Sequence, residues 1–257
     1  MSKEIDPMFD FSGLTVLVTG GSRGLGREMV LAFAARGADV VVVSRNIETC
    51  EEVCAEARAM GRRALACSAH VGRWDQVDAL VERVYSEFGR VDILVNNAGI
   101  GPRAPSHEVT EKLFDSVFNL NIKGPFRLAS QIGKRMFDGD GGCIINVSSS
   151  AALFPSPEIV PYSAAKAALN AMGASLALEY GPKVRVNTLS AGPFLTDIAK
   201  AWPEELRQRA PGAIGRPGRP AEIVTAALFL ASPHSSFVTG ALVRCDGGVT
   251  TGSPADA

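Results

Sequence analysis

One stretch restricts the fold of this chain more than any other. Leu14 to Thr19 is a short β-rich run that ends in Gly20-Gly21-Ser22-Arg23-Gly24-Leu25-Gly26. Arg27 to Arg36 then carries Met29, Val30, Phe33 and Ala34 on one helical side, and Gly37 closes it. A strand, a glycine-rich turn and a helix in that order suit a phosphate cradle. The glycines permit a tight turn and let backbone N–H groups approach a pyrophosphate at the helix N-terminus. The spacing is G-x-x-x-G-x-G rather than the plain G-x-G-x-x-G, and a glycine cluster alone is equally a turn. The strand before it and the helix after it are what support a nucleotide site.

The same alternation continues to the end of the chain. Strands are expected at Ala38 to Val43, Arg63 to Ser68, Val91 to Val95, Cys143 to Val147, Lys183 to Leu189 and Gly240 to Cys245. Helices are expected at Ile47 to Met60, Trp74 to Phe88, Ser163 to Leu178 and Pro220 to Ala231, with a long helical region, Glu111 to Asp138, broken near Asn121 to Pro125. Ala38 to Val43 is continuously apolar, as a strand buried on both faces must be. The pattern implies an α/β fold: a single-domain, doubly wound parallel sheet with helices on both faces, over residues 11–249. Residues 1–10 and 250–257 read as terminal tails, and the proline-rich 194–218 as a lid with one or two short helices. In such sheets ligands sit beyond the carboxyl ends of the strands. That is where the polar motifs fall: Ser44-Arg45-Asn46, Asn96-Asn97-Ala98-Gly99, Ser148-Ser149-Ser150 and Ser190-Ala191-Gly192-Pro193.

Composition excludes several function classes. The net charge is −1 over 257 residues with Lys and Arg scattered, so no nucleic-acid partner is expected. The longest apolar runs are too short to span a bilayer, and Met1 to Phe11 has no apolar core of a signal peptide. Five scattered cysteines suggest reduced thiols and a cytoplasmic location. The three histidines, His70, His107 and His234, stand far apart, so no metal is expected.

Among the three tyrosines, only Tyr162 has a lysine, Lys166, four residues on. On a helix these two share a face. A nearby cation lowers the pKa of a phenol from its usual value of about 10, and such a tyrosine can exchange a proton with a hydroxyl or carbonyl oxygen. Taken alone, the pair is equally a solvated surface couple.

Taken together, Thr19-Gly20-x-x-x-Gly24-x-Gly26, Asn96-Asn97-Ala98-Gly99, Ser149, Tyr162-x-x-x-Lys166 and Asp246-Gly247-Gly248 resemble the short-chain dehydrogenase/reductases in order and spacing. The resemblance spans Phe11 to Val249 and implies a Rossmann-type fold and an alcohol dehydrogenase or ketone reductase. It implies hydride transfer between nicotinamide C4 and a carbonyl carbon. Tyr162 would be the acid/base, and Lys166 would lower its pKa and hold the nicotinamide ribose. Ser149 would bond the substrate oxygen, and Asn121 would shape a kinked helix and position a relay water. Ser148, Ser150 and Asn119 compete for these roles if the register slips by a residue or two. Gly20, Ser22, Arg23, Gly24, Leu25, Gly26, Ser44, Arg45, Asn46, His70, Val71, Asn97, Ala98 and Gly99 are the expected coenzyme contacts. Tyr162, Lys166, Gly192, Phe194 and Thr196 complete that set. Two departures stand out. Ala191-Gly192-Pro193 replaces the usual Pro-Gly, and His70 stands where the family often has Asp, either to stack on or bond the adenine or to fill space.

Coenzyme choice follows from charge. An NAD site wants Asp or Glu at the end of the second strand, whereas this chain has Ser44, Arg45 and Asn46 there and Arg23 in the glycine loop. Guanidiniums grip phosphates, so NADP(H) is expected over NAD(H). Alternatively, Arg45 stacks on adenine and Arg23 points to solvent. Phe154, Ile159, Val160, Phe194, Ile198 and Trp202 are expected to line a partly apolar pocket for a small carbonyl or alcohol substrate. Arg103, His107 and Lys200 either meet an anionic group or face water. The family resemblance implies a homotetramer. The reading from another class is a catalytically silent nucleotide-binding scaffold, because fold alone does not fix function.

Overall fold

The computed structural model describes residues 5–251, except 155, 198, 200, 201 and 203. Seven parallel strands form one sheet: β1 (Thr15–Thr19), β2 (Asp39–Ser44), β3 (Ala64–Ser68), β4 (Ile93–Asn96), β5 (Gly142–Ser149), β6 (Val184–Ala191) and β7 (Leu242–Cys245), in the order β3-β2-β1-β4-β5-β6-β7. The order reverses direction between β1 and β4, and the crevice at such a switch point is where doubly wound sheets bind ligands.

The helices are α1 (Gly24–Ala34), α2 (Ile47–Ala59), α3 (Trp74–Phe88), α4 (Glu111–Phe118), α5 (Gly124–Asp138), α6 (Val160–Tyr180), α7 (Glu204–Gln208) and α8 (Val224–Ala231). They cover both sheet faces, and the strand sequences show why. Val16, Val18, Val40 and Val42 pack into a core with α1, α2 and α8. Their neighbours Leu17, Val41 and Val43 point the other way, into a core with α3, α5 and α6. Successive side chains of a strand alternate faces, so a strand covered on both sides has to be apolar throughout.

Local chemistry sets the element ends. Asn46 caps α2, its side chain accepting from Thr49 N–H at 2.9 Å, and Thr110 caps α4 through Leu113 N–H at 3.2 Å. The expected break in the 111–138 region is a π-helical turn, Asn119–Lys123, between α4 and α5. It widens the helix by one residue per turn and turns Asn121 inward.

Three boundaries differ from the sequence reading in ways that matter for the site. Helix α1 starts at Gly24, inside the glycine loop. Strand β5 runs two residues further, to Ser149. Helix α6 begins at Val160, so Tyr162 and Lys166 both lie within its first two turns. The stretch expected as an N-terminal tail is partly structured. Pro7–Phe9 forms a 3₁₀ turn, Met8 carbonyl accepts from Ser232 Oγ at 2.7 Å, and Phe11 packs edge-on against Phe33 with centroids 5.1 Å apart. At the other end Val249–Thr251 forms a 3₁₀ turn tied back to Asp246, which accepts from Thr250 Oγ1 at 2.5 Å. Gly252 to Ala257 of the second expected tail lie outside the described residues.

Candidate active site

A cleft of about 510 Å³ opens along the carboxyl ends of β1 to β6. It is lined by the glycine loop, the two strand ends carrying Arg45 and His70, the Asn97-Ala98-Gly99 turn, and Ser149, Tyr162 and Lys166.

The glycine loop is locked to the central strands. Thr19 Oγ1 accepts from the N–H groups of both Asn97 and Ala98 at 3.0 Å, and Asn97 Nδ2 donates to Thr19 carbonyl at 2.9 Å. These bonds fuse the ends of β1 and β4 into one rim. Gly26 is the closest-packed position: a Cβ there would lie 2.1 Å from Gly20 carbonyl oxygen and 2.6 Å from Asn97 Nδ2. The first turn of α1 can therefore sit against the loop only with glycine at this point. Gly20 and Gly24 have φ of +64° and +53°, a left-handed conformation that glycine adopts without strain.

At the far side of the cleft, β5 and α6 bring the proton-handling groups together. The Ser149 hydroxyl accepts from Ala151 N–H at 3.2 Å and acts on the Tyr162 phenol, pulling its pKa down. Ser148 faces the other way, is buried, and donates to Lys166 carbonyl at 3.2 Å. Ser150 starts the 3₁₀ turn that follows β5. Of the three serines, Ser149 is the one that meets the phenol.

Lys166 is 3% exposed. Its ammonium donates to Val147 carbonyl at 2.8 Å and lies 5.8 Å from the centre of the Tyr162 ring. Burial pushes its pKa down to about 8, since an ammonium away from water is disfavoured. Burial also raises the Tyr162 phenol, and the Ser149 bond opposes that rise. Desolvation is thus the largest influence on the Tyr162 phenol in this arrangement, and Lys166 is not among the groups that shift it.

Asn121 is fully buried beside this pair. Its Nδ2 donates to Ile100 and Val117 carbonyls at 2.8 and 2.9 Å, and its Oδ1 has no partner among the described residues. A Cβ on Gly99 would lie 2.6 Å from that Oδ1 and 3.4 Å from Lys166 Nζ, so Gly99 keeps the space between them open.

The remaining expected contacts divide. Gly20, Ser22, Arg23, Gly24, Leu25, Ser44, Arg45, His70, Val71, Asn97, Ala98, Gly99, Gly192, Phe194 and Thr196 line the cleft. His70 offers a buried Nδ1 with no partner among the described residues, and its backbone N–H donates to Gln76 Oε1 at 2.7 Å. Gly26 and Asn121 stand behind the lining, and Asn46 is turned away to cap α2. Asn119 does not line the cleft either.

Among the apolar residues, Phe154, Ile159, Phe194 and Trp202 line it, joined by Leu206 and Ala210, while Val160 does not. Arg103 reaches the cleft paired with Glu158 at 2.9 Å, and Glu158 has a left-handed φ of +64°. His107 is exposed and faces Glu108 instead. Ile198 and Lys200 lie outside the described residues.

Sequence reasoning missed Asp197, which pairs with Arg23 at 3.1 Å, and gave Thr19 a place in the loop motif without its hydroxyl's role in joining β1 to β4. Neither contact had a local signal, because each partner comes from a distant part of the chain. Among the described residues no group of three or more His, Cys, Asp or Glu is placed to hold a metal ion.

The chain has known relatives. The chain matches a family model described as short chain dehydrogenase over residues 14–207. It is 37% identical over 259 residues to D-threitol dehydrogenase of Mycolicibacterium smegmatis, an overlap covering 97% of this chain and 98% of that one. Its structure resembles a 7α-hydroxysteroid dehydrogenase complexed with NADH and 7-oxo glycochenodeoxycholic acid, with a TM-score of 0.91 and 32% identity over 96% of this chain and 99% of the other. It also resembles a blue fluorescent protein from a metagenomic library in complex with NADPH, with a TM-score of 0.88 and 34% identity over 93% and 99%.

Proposed function

The chain belongs to the short-chain dehydrogenase family, and we propose that it is a ketone reductase or secondary-alcohol dehydrogenase that uses NADP(H) in preference to NAD(H). The observation that carries this reading is the meeting of Ser149, Tyr162 and Lys166 at one end of the cleft whose other end is the glycine loop.

The residues present fit a nicotinamide dinucleotide. Close packing at Gly26 leaves the loop without a side chain there, Asn97 and Thr19 tie that loop to β4, and His70 Nδ1 is a buried polar atom with no partner among the described residues. Ser22, Gly24 and Leu25 would hold the pyrophosphate at the start of α1. Asn97 to Gly99 and Lys166 would hold the nicotinamide riboside, and Phe194 and Thr196 the carboxamide end. When bound, the coenzyme supplies or accepts the hydride.

The protein's own groups then manage charge and the proton. Ser149, fixed by Ala151 N–H, donates toward the substrate oxygen where negative charge develops on reduction. Tyr162 gives its phenolic proton to that oxygen, or takes one back in oxidation. Lys166, held at Val147 carbonyl, offsets charge on the phenolate. Asn121 Oδ1 and the gap beside Gly99 suit a water that replenishes the proton.

The NADP preference rests on charge at the end of β2. Arg45 is exposed at the cleft with no carboxylate paired to it among the described residues, and Arg23 lines the same cleft. A 2′-phosphate adds about two negative charges there. The walls Phe154, Ile159, Trp202 and Leu206 favour a ketone with an apolar body, and residues 194–218 act as a lid over it.

Among the exposed apolar side chains, Phe114, Phe126 and Leu178 lie on α4 to α6, and Phe229, Phe237 and Leu242 around α8 and β7. Two separate patches of this kind suit a homotetramer. Free cysteines suit a reducing, cytoplasmic compartment.

A silent nucleotide-binding scaffold is disfavoured by the grouping of Ser149 and Tyr162 with Lys166. A buried phenol beside a serine hydroxyl serves to move a proton, which binding alone does not require. The test is a panel of ketones with both reduced coenzymes, run on wild type and Tyr162→Phe. Turnover is expected in the first and a loss of at least about a hundredfold in the second, with coenzyme binding kept. Near-normal turnover in Tyr162→Phe would remove the proton-transfer role. Tight coenzyme binding with no oxidation of it by any ketone would favour the scaffold.

A further inference from the structure

The glycine loop does not present Arg23 to the cleft as a bare cation. Arg23 Nη1 lies 3.1 Å from Asp197 Oδ2, and both residues line the cleft. Asp197 belongs to the segment that follows β6, and that segment is seated directly on the loop. Thr196 Cγ2 is 3.3 Å from the place where a Cβ on Gly24 would sit. Thr196 itself is held by its N–H to Phe194 carbonyl at 2.8 Å, and Phe194 is anchored against Gly218. The carboxylate is therefore delivered to Arg23 by a braced strap rather than by a loose side chain. The side chains of Arg23 and Asp197 are 70% and 40% exposed, so the pair sits at the mouth, screened by solvent but not buried beyond reach.

We propose that Asp197 is a coenzyme-selectivity residue that competes with the adenosine 2′-phosphate of NADP(H) for the Arg23 guanidinium. The inference rests on the reading of Arg23 as a phosphate contact. Its sign does not depend on whether the phosphate displaces Asp197 or shares the guanidinium fork with it. In the first case the ion pair has to break before the phosphate binds. In the second, a carboxylate stays close to a dianion, and like charges repel. Either way Asp197 lowers the advantage of NADP(H) while leaving NAD(H), which has only ribose hydroxyls at that point, almost untouched. The contest also links coenzyme identity to the strap, because a phosphate that takes Arg23 loosens one of the contacts holding residues 195–197 on the glycine loop.

The experiment is a titration of NADPH and of NADH, followed by nicotinamide fluorescence without substrate, on wild type, Asp197→Asn, Arg23→Ala and the double variant. Thermal unfolding of each confirms that it is folded. Exposed ion pairs of this kind carry modest energies, so Asp197→Asn is expected to raise the ratio of NADH to NADPH dissociation constants by about three- to fivefold. NADPH should move and NADH should not. The gain should shrink at high salt and vanish in the Arg23→Ala background. If Arg23→Ala lowers the ratio but Asp197→Asn leaves it unchanged, or shifts both coenzymes equally, this inference is overturned and the coenzyme reading stands. If Arg23→Ala leaves the wild-type ratio unchanged, Arg23 is no phosphate contact, and the coenzyme reading of that residue falls together with the role of Asp197.

Discussion

Replacing Lys166 by methionine tests the central claim about the site, that it is built at the expense of stability. Lys166 is buried, and its pKa falls from 10.5 to about 8. The unfolded chain therefore holds this proton up to a higher pH than the folded one does. Below pH 8 both states are protonated and the full penalty applies, about 3 kcal/mol for a shift of this size. Between pH 8 and 10.5 the unfolded chain binds more protons, so the penalty shrinks as pH rises. Lys166→Met removes the penalty and also removes the bond to Val147 carbonyl, a loss of about 1–3 kcal/mol. At pH 7 the two effects nearly cancel, leaving the variant between unchanged and about 2 kcal/mol more stable, although inactive. The diagnostic quantity is the pH slope. Urea unfolding of both proteins at one protein concentration should show wild type gaining about 2 kcal/mol on the variant between pH 7 and 9.5. Parallel pH dependences for the two proteins would refute the reasoning, because they would mean that Lys166 titrates normally and is not desolvated in the fold.

Three further outcomes are expected. Ser149→Ala removes the bond that opposes the burial-driven rise of Tyr162. Turnover should drop by about 10²-fold or more, and the pH–rate limb assigned to the phenol should move to higher pH; a limb that stays in place would separate Ser149 from Tyr162. Gly26→Ala places a methyl 2.1 Å from Gly20 carbonyl, so the rim must shift. Coenzyme affinity measured by titration should fall at least about tenfold, with a loss of about 1–3 kcal/mol in stability, and a variant that binds and unfolds like wild type would contradict the packing argument. Light scattering at micromolar concentration should give the mass of four chains, and replacing Leu178 and Phe237 by Asp should lower it; a monomer mass for wild type would remove the quaternary reading.

The sequence by itself determined the sheet and pointed to most of the residues that line the candidate site, because both are written in local patterns. Continuous apolar runs such as Val40 to Val43 can only be strands covered on both faces, and alternation with helices makes those strands parallel. The glycine loop and the Tyr162–Lys166 pair are short-range motifs, so their meaning survives without the fold. Tertiary structure decided what depends on depth and on distant partners. The choice of Ser149 among three serines came from the length of β5 and the start of α6. The pKa shifts of Tyr162 and Lys166 turned on burial, and no i,i+4 spacing carries that information. Asn46 looked like a coenzyme contact from its place at a strand end and is a helix cap, because the first free N–H groups of α2 lie within reach of its side chain. Asp197 was invisible for the same reason in reverse: its partner Arg23 is at the other end of the chain, and only closure of the segment after β6 onto the glycine loop brings the two charges within 3.1 Å.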